Sequence, residues 1–163
     1  MQFRPLAPCL LLLALVACGP SAPPATSNTS APTTSDGAQS DAISRIGDVS
    51  IRASVIQTSM LNDAIAREYG ITRDPKTVLL LVAVRQGPDA TATALPATIT
   101  ATVTDLRGGR QDIAMRELQS GGLIDYVGTV NTTLPETLRF DLTIVRAGGA
   151  RSTMQLQREF YPQ

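Results

Sequence analysis

Apolar and polar residues alternate along most of the chain after residue 48, a pattern typical of strands with one buried face. From Leu138 to Ile144 every second residue is apolar, which predicts a strand with a continuous inward row. Residues 77–85 (TVLLLVAVR) are almost entirely apolar, which predicts a central strand covered on both faces. The other predicted strands are residues 49–56, 98–106, 111–118, 123–130 and 152–161.

Turn residues separate these strands at intervals of about 8–12 residues. Pairs of glycine mark three of the predicted hairpins, at residues 107–110, 121–122 and 148–149. Such regular spacing predicts a mainly β domain: an antiparallel, immunoglobulin-like β-sandwich of about seven strands, with one short helix near its N-terminus.

The short helix is predicted from Met60 to Tyr69. Ser59 is the expected N-cap, and Gly70 suits a left-handed exit. Asp63 and Arg67 lie four residues apart and are expected to pair on the helix surface. The expected buried face consists of Leu61, Ala64, Ile65 and Tyr69.

The first 17 residues have the pattern of an export signal. After Arg4, residues 6–16 are apolar but too short to span a hydrocarbon core, which needs about 20 residues. The segment ends in Leu-Val-Ala followed by Cys18, which resembles the bacterial lipobox. The resemblance implies a signal peptide over residues 1–17, cleavage before Cys18, and lipidation of Cys18 with acyl chains such as palmitate. Cys9 would be removed with the signal.

Residues 18–42 comprise the lipidated Cys18 and a segment rich in Pro, Ser, Thr and Ala. This segment lacks large apolar side chains, so it predicts a disordered tether to a domain at residues 43–163. Two acyl chains suffice for stable membrane attachment. Gly19 is not the Asp that retains lipoproteins at the inner membrane of enteric bacteria. The outer membrane, with the domain facing the periplasm, is therefore favoured.

The composition removes several classes of chemistry from the domain. The chain has no His, and both of its Cys lie within the first 18 residues. Zinc sites, His-based catalysis and thiol nucleophiles are therefore not expected, and neither is a cofactor. Lys and Arg together number 14, as do Asp and Glu, so there is no basic excess for nucleic acid binding.

The remaining ionisable residues do not form a recognisable catalytic set. Lys76 follows Asp-Pro in a predicted turn, where a solvated lysine is expected rather than a Ser/Lys dyad. The carboxylates at strand ends or outward positions are Asp105, Asp112, Glu117, Asp125 and Asp141. No two of them are spaced as a general acid and base. We therefore do not expect an enzyme.

Two further features are open to two interpretations. The row Thr98, Thr100, Thr102 and Thr104 could bind an ordered surface, but a solvated strand face explains it more simply. Arg158 shares the predicted core face of the last strand. We expect it at the sheet margin, reaching solvent or pairing with an acid such as Asp125. An anion-binding role for Arg158 is the alternative.

Three stretches occur in the order in which one known family carries them. They are Gly47-Asp48 leading to Thr58-Ser59-Met60-Leu61, Glu68-Tyr69-Gly70-Ile71-Thr72-Arg73 before Val78-Leu79-Leu80-Leu81-Val82, and Glu136-Thr137-Leu138-Arg139-Phe140-Asp141 with Phe160-Tyr161. Together they resemble the proteobacterial envelope family named domain of unknown function 4426 (DUF4426). The resemblance implies a periplasmic, β-rich domain and no activity. That family tends to carry a His and an Asn where this chain has Arg52 and Ser54, and it usually has a plain secretory signal.

These observations favour a non-enzymatic envelope lipoprotein. The membrane, bound through Cys18, and another envelope protein are the expected partners. The alternative hypothesis is a carrier of a small ligand or lipid, with a cavity between its two sheets.

Overall fold

The computed structural model describes residues 40–163. The predicted signal peptide, Cys18 and residues 19–39 of the predicted tether lie outside the described residues. The first strand begins at Ser40, three residues before the domain boundary predicted at residue 43.

The described residues form two antiparallel sheets, which confirms the prediction of a mainly β sandwich. Sheet A contains β1 (Ser40–Ile46), β2 (Val49–Gln57), β3 (Thr77–Gln86), β4 (Thr93–Ala94), β7 (Arg116–Ser120) and β8 (Leu123–Asn131). Sheet B contains β5 (Ala97–Thr104), β6 (Arg110–Ile113), β9 (Glu136–Arg146) and β10 (Arg151–Phe160). The strand order is β1-β2-β3-β8-β7 in sheet A, with β4 paired to the end of β3, and β10-β9-β5-β6 in sheet B.

The main core fills the space between the two sheets. The row predicted to point inward from β9 is fully buried: Leu138, Phe140, Leu142 and Ile144. Residues from β2, β3, β5, β8 and β10 pack against this row and form one continuous cluster. The strand predicted to be central is β3, which lies between β2 and β8.

A second, smaller core lies on the outer face of sheet A. There Leu79 and Val127 are buried beneath the helix α1 (Asp63–Tyr69). This packing explains why β3 is apolar on both sides, since one face meets sheet B and the other meets the helix. The fold thus has three layers: helix, sheet A and sheet B.

The start of the helix differs from the prediction. Residues Thr58–Met60 form a separate 3-10 turn, and α1 begins three residues later than predicted. The cap is Asn62, not Ser59, and its side chain accepts a hydrogen bond from the Ile65 backbone N–H at 2.8 Å. Gly70 ends the helix in the left-handed conformation, as predicted (φ 62°).

The buried face of the helix matches the prediction at Leu61, Ile65 and Tyr69, which pack in the smaller core, and differs at one position. Ala66 is buried in place of the predicted Ala64, which is exposed. Asp63 pairs with Arg73 in the following loop, rather than with the predicted Arg67.

The single strand predicted for residues 111–118 is two strands in different sheets. The chain leaves sheet B after Ile113 and enters sheet A at Arg116. Residues 114–115 cross between the sheets beside Gly128 of β8. The chain itself therefore connects the two sheets along one side of the sandwich. The described residues have ten strands rather than the predicted seven or so, because one predicted strand is split in two and because β1 and the short β4 were not predicted.

The outer face of sheet B is polar. Thr98 and Thr100 are exposed on it, as predicted. Thr102 is buried, however, because Arg110 lies across it and donates a hydrogen bond to its hydroxyl at 3.1 Å. The threonines therefore form an interrupted row.

Candidate interaction surface

The first strand of the domain, β1, lies at the edge of sheet A. It pairs with β2 along its whole length, and no strand of the described region pairs with its other side. An open edge presents unpaired backbone N–H and C=O groups. Two of the larger exposed apolar side chains, Ile43 (48% exposed) and Ile46 (44%), lie on this strand. The edge is therefore accessible and partly apolar.

A group of mostly charged residues lies on the outer face of sheet A, on the part of that face that the smaller core does not occupy. We call it the outer strip and define it as Asp41, Ile43, Arg52, Arg85 and Asp125. In the sheet register Ile43 lies opposite Arg52, Arg52 opposite Ala83, and Ala83 opposite Asp125. Residues directly opposite each other in an antiparallel sheet share a face. The outer strip therefore runs from the open edge towards the middle of the sheet.

The inner end of the outer strip is a well-shielded ion pair. The guanidinium of Arg85 contacts the carboxylate of Asp125, and the two side chains are only 17% and 15% exposed. The same guanidinium donates to the carbonyl oxygen of Ile124 at 2.8 Å. With its donors engaged in this way, Arg85 has a structural role rather than the role of a free anion-binding group.

At the end of the outer strip nearer the open edge, the charged side chains have fewer hydrogen-bond and ion-pair partners. Arg52 lies 3.7 Å from one carboxylate oxygen of Asp41, and the Arg52 side chain is 56% exposed. The second oxygen of Asp41 is buried and has no hydrogen-bond partner in the structure. Asp41 thus keeps unused capacity to accept hydrogen bonds.

The negative charge of Asp125 also acts on the end of α1. Burial, and then the nearby charges of Asp125 and Glu68, raise the pKa of the Tyr69 phenol above its ordinary value. A raised pKa keeps this phenol protonated and uncharged near neutral pH.

The two positions at which the family resemblance expects His and Asn lie on the outer face of β2. Arg52 belongs to the outer strip and Ser54 is the next outward residue along the strand. Both departures from the family pattern therefore lie on the same face of sheet A, one strand in from the open edge.

The other sequence candidates do not converge on one place. Lys76 is exposed in the turn before β3, and its backbone N–H donates to Asp74 at 2.7 Å. Asp105 accepts two backbone hydrogen bonds within its own turn, and Asp141 pairs with Arg139 at 3.4 Å. Within residues 40–163 no group of three or more His, Cys, Asp or Glu side chains is placed to hold a metal ion.

Arg158 lies at the margin of the sandwich. It donates to the carbonyl oxygen of Val55 in sheet A at 2.8 Å, and its guanidinium lies 5.7 Å from the ring centre of Phe160. Asp125, the acid suggested as its partner, pairs with Arg85 instead. Arg158 therefore joins β10 to β2 across the gap between the sheets.

Three clefts on the surface of the described residues are half open to solvent. The largest of these three, about 370 Å³, is half open and lies beside the end of α1. Arg116 lines it and donates to the carbonyl oxygen of Tyr69. A second, of about 250 Å³, lies by the β5–β6 turn, and a third, of about 290 Å³, by the β1–β2 turn. No helix within the described range is long and apolar enough to span a membrane.

Comparison with known families agrees with the order of the three stretches identified in the sequence. The family model described as Domain of unknown function (DUF4426) matches residues 43–163. The chain belongs to the DUF4426 family. Among curated proteins there is no match.

Solved structures share the fold of this DUF4426 domain. A DUF4426 family protein from Pseudomonas aeruginosa PAO1 is 21% identical with a TM-score of 0.64, over 76% of this chain and 96% of its own. A copper-bound variant of FetP from uropathogenic Escherichia coli strain F11 is 10% identical with a TM-score of 0.53, over 74% and 95% of the two chains. The as-isolated FetP of that strain, expressed in the periplasm of E. coli, has 10% identity and a TM-score of 0.52, over 77% and 97%.

Proposed function

We propose that this DUF4426 protein is a lipoprotein of the bacterial cell envelope whose β-sandwich acts as a non-enzymatic interaction module. The open edge of β1 is the observation that carries the proposal. It is exposed, partly apolar, and begins within the last three residues of the predicted tether. A partner that binds there would meet the domain at the point closest in sequence to its anchor.

The anchor rests on Cys18. A lipidated cysteine at the mature N-terminus, with two or more acyl chains, would hold the protein at the membrane without a spanning segment. The inner leaflet of the outer membrane is the proposed location, since Gly19 follows the cysteine. A periplasmic setting also fits the FetP chain of the same fold, which was expressed in the periplasm.

An interaction role fits the chemistry of the surface. Edge strands recruit extended segments through backbone hydrogen bonds, and neighbouring side chains supply specificity. Here Ile43 provides apolar area, while Asp41 and Arg52 provide charge. The side chains that could act as nucleophile or base are scattered over the domain, so the geometry supports binding better than catalysis.

The carrier hypothesis has less support. It requires space between the sheets, and that space is filled by the main core, including the fully buried Phe140. The copper bound by the FetP variant is not proposed for this chain, because the chain contains no His at all.

Replacing Cys18 with alanine tests the anchor. We expect Cys18→Ala to abolish incorporation of a labelled fatty acid and to release the protein from the membrane fraction, because the only proposed acylation site is lost. The matched control is Cys9→Ala, which removes the cysteine inside the signal peptide. Labelling that persists in Cys18→Ala, or is lost equally in both variants, would contradict the proposed anchor.

A further inference from the structure

We propose that two copies of this chain pair through β1, antiparallel and edge to edge, about a two-fold axis at Ile43. The pairing would join two A sheets into one continuous sheet. It names the partner of the proposed interaction module and rests on that proposed role, but it does not require the lipid anchor.

The sequence of β1 is complementary to itself in this arrangement. The side chains of Asp41, Ile43 and Arg45 share the outer face of the strand, since they alternate along it. If Ile43 lies opposite Ile43 of the second copy, Asp41 of each chain lies opposite Arg45 of the other. Opposite charges in directly facing positions of an antiparallel pair are favourable, and the two-fold axis forms this contact twice.

Other registers lose this match. A shift of two residues puts Ile43 opposite Asp41 or Arg45, so neither ion pair forms. A shift of one residue places the outward side chains of one copy opposite the inward side chains of the other, so the outer faces of the two sheets no longer match. The charges of β1 therefore favour one register of the paired strands over the others.

Both charged residues are available for a second copy. Arg45 lies 3.5 Å from Asp89, and their side chains are 59% and 74% exposed. Exposed pairs of this kind contribute little to stability and are easily exchanged. Asp41 is 27% exposed, and its other carboxylate oxygen, Oδ2, has the 3.7 Å contact with the exposed Arg52. An arginine from the facing strand could share or replace this long contact at Oδ2.

The geometry is compatible with two chains anchored to one membrane. In the proposed dimer the two Ser40 residues lie at opposite ends of the paired strands, about 20 Å apart at 3.4 Å per residue. Residues 19–39 of each chain could extend to at most about 70 Å, so both chains could reach the same surface. A seven-residue edge is small for an interface. Confinement to a membrane would raise the effective concentration and favour pairing.

Charge exchange tests the pairing. Residues 19–163, which lack both cysteines, would be studied by sedimentation velocity over a wide concentration range. We expect a concentration-dependent dimer for the unmodified chain. Asp41→Arg and Arg45→Asp should each raise the dimer Kd at least 10-fold, because each places like charges opposite each other at two positions. An equimolar mixture of the two variants should recover dimer formation, since opposite charges face each other again.

Two controls separate pairing from general effects. Arg107→Asp, in the exposed β5–β6 turn, makes the same charge change away from β1 and should leave the Kd unchanged. Ile43→Cys should form an intermolecular disulfide readily, because directly opposed residues lie about 4.5–5.5 Å apart between Cα atoms. Arg52→Cys, one strand further in, should not.

A chain that stays monomeric throughout, or a mixture of the two charge variants that recovers nothing, would overturn the self-pairing. Equal disulfide formation by Ile43→Cys and Arg52→Cys would also overturn it. These failures are distinguishable from failure of the proposed function, because membrane attachment through Cys18 is measured separately by fatty acid labelling.

Discussion

Gly128→Ala is expected to lower the free energy of unfolding by about 3 kcal/mol, the upper part of the usual range for overpacking. A Cβ atom at this position would lie 2.6 Å from Cγ2 of Ile113 and 2.8 Å from the sulfur of Met115. It would also lie 3.0 Å from the backbone oxygen of Ala114. Because the chain crosses between the sheets at this point, neither the added methyl group nor the backbone has room to move.

Gly109→Ala is the matched control for this substitution. A Cβ atom at Gly109 would also meet an atom at 2.6 Å, but that atom is the carboxylate of Asp105 in an exposed turn. The carboxylate can rotate away, so we expect a loss of about 1 kcal/mol or less. Urea unfolding of both variants compares the two losses. If Gly128→Ala and Gly109→Ala lost equal amounts of unfolding free energy, the close packing of residues 113–115 against Gly128 would be contradicted.

Arg85→Met is expected to cost about 3 kcal/mol, because it leaves the carboxylate of Asp125 shielded and without its cation. The methionine keeps most of the apolar stem of the arginine, so the loss reports on the charge rather than on packing. Thermal and urea unfolding would measure it. The prediction rests on the low exposure of the pair, 17% and 15%.

Two comparisons control for the ion pair. In the double variant Arg85→Met with Asp125→Leu we expect most of the stability to return, since no charge remains unpaired. Arg139→Met breaks a pair whose side chains are 49% and 35% exposed, and it should cost less than about 1 kcal/mol. If Arg85→Met were as mild as Arg139→Met, the inner end of the outer strip would not be a shielded pair.

The features that follow from regular periodicity could be predicted from the sequence. The inward row of β9 and the doubly apolar β3 were both identified, because burial on one or two faces leaves a direct pattern in the residues. The hairpin turns at the glycine pairs were identified for a similar reason. Gly121 and Gly122 both adopt positive φ, where other residues are strained.

The crossing between the sheets was missed because apolar residues recur through it at 113, 115 and 118 and no Gly or Pro marks a turn. Ile113, in sheet B, is buried in the main core between the sheets, whereas Leu118, in sheet A, is buried in the smaller core under the helix. These residues are five positions apart, and a single strand with one buried face would separate its buried residues by an even number. That odd spacing was the available signal. The start of the helix was displaced because Ser59 and Asn62 are both good caps by residue type.

The open edge was missed because its residues resemble those of the tether. Ala42 and Ser44 alternate with the larger residues of β1, but small side chains give only a weak strand pattern next to a segment rich in Ser and Ala. The Arg85–Asp125 pair could not be predicted either, since its members are 40 residues apart and meet only through the sheet register.

Site-specific photo-crosslinking in cells tests most directly whether the anchored domain acts through its open edge. A photoreactive residue would replace Ile43 in the full-length protein, and the matched position would be Thr100, exposed on the outer face of sheet B. We predict discrete crosslinked products from position 43, few from position 100, and a lower yield from position 43 when Cys18→Ala is added, because the unanchored chain is no longer concentrated at the membrane. Absence of products from position 43, or equal yields from the two positions, would contradict the account.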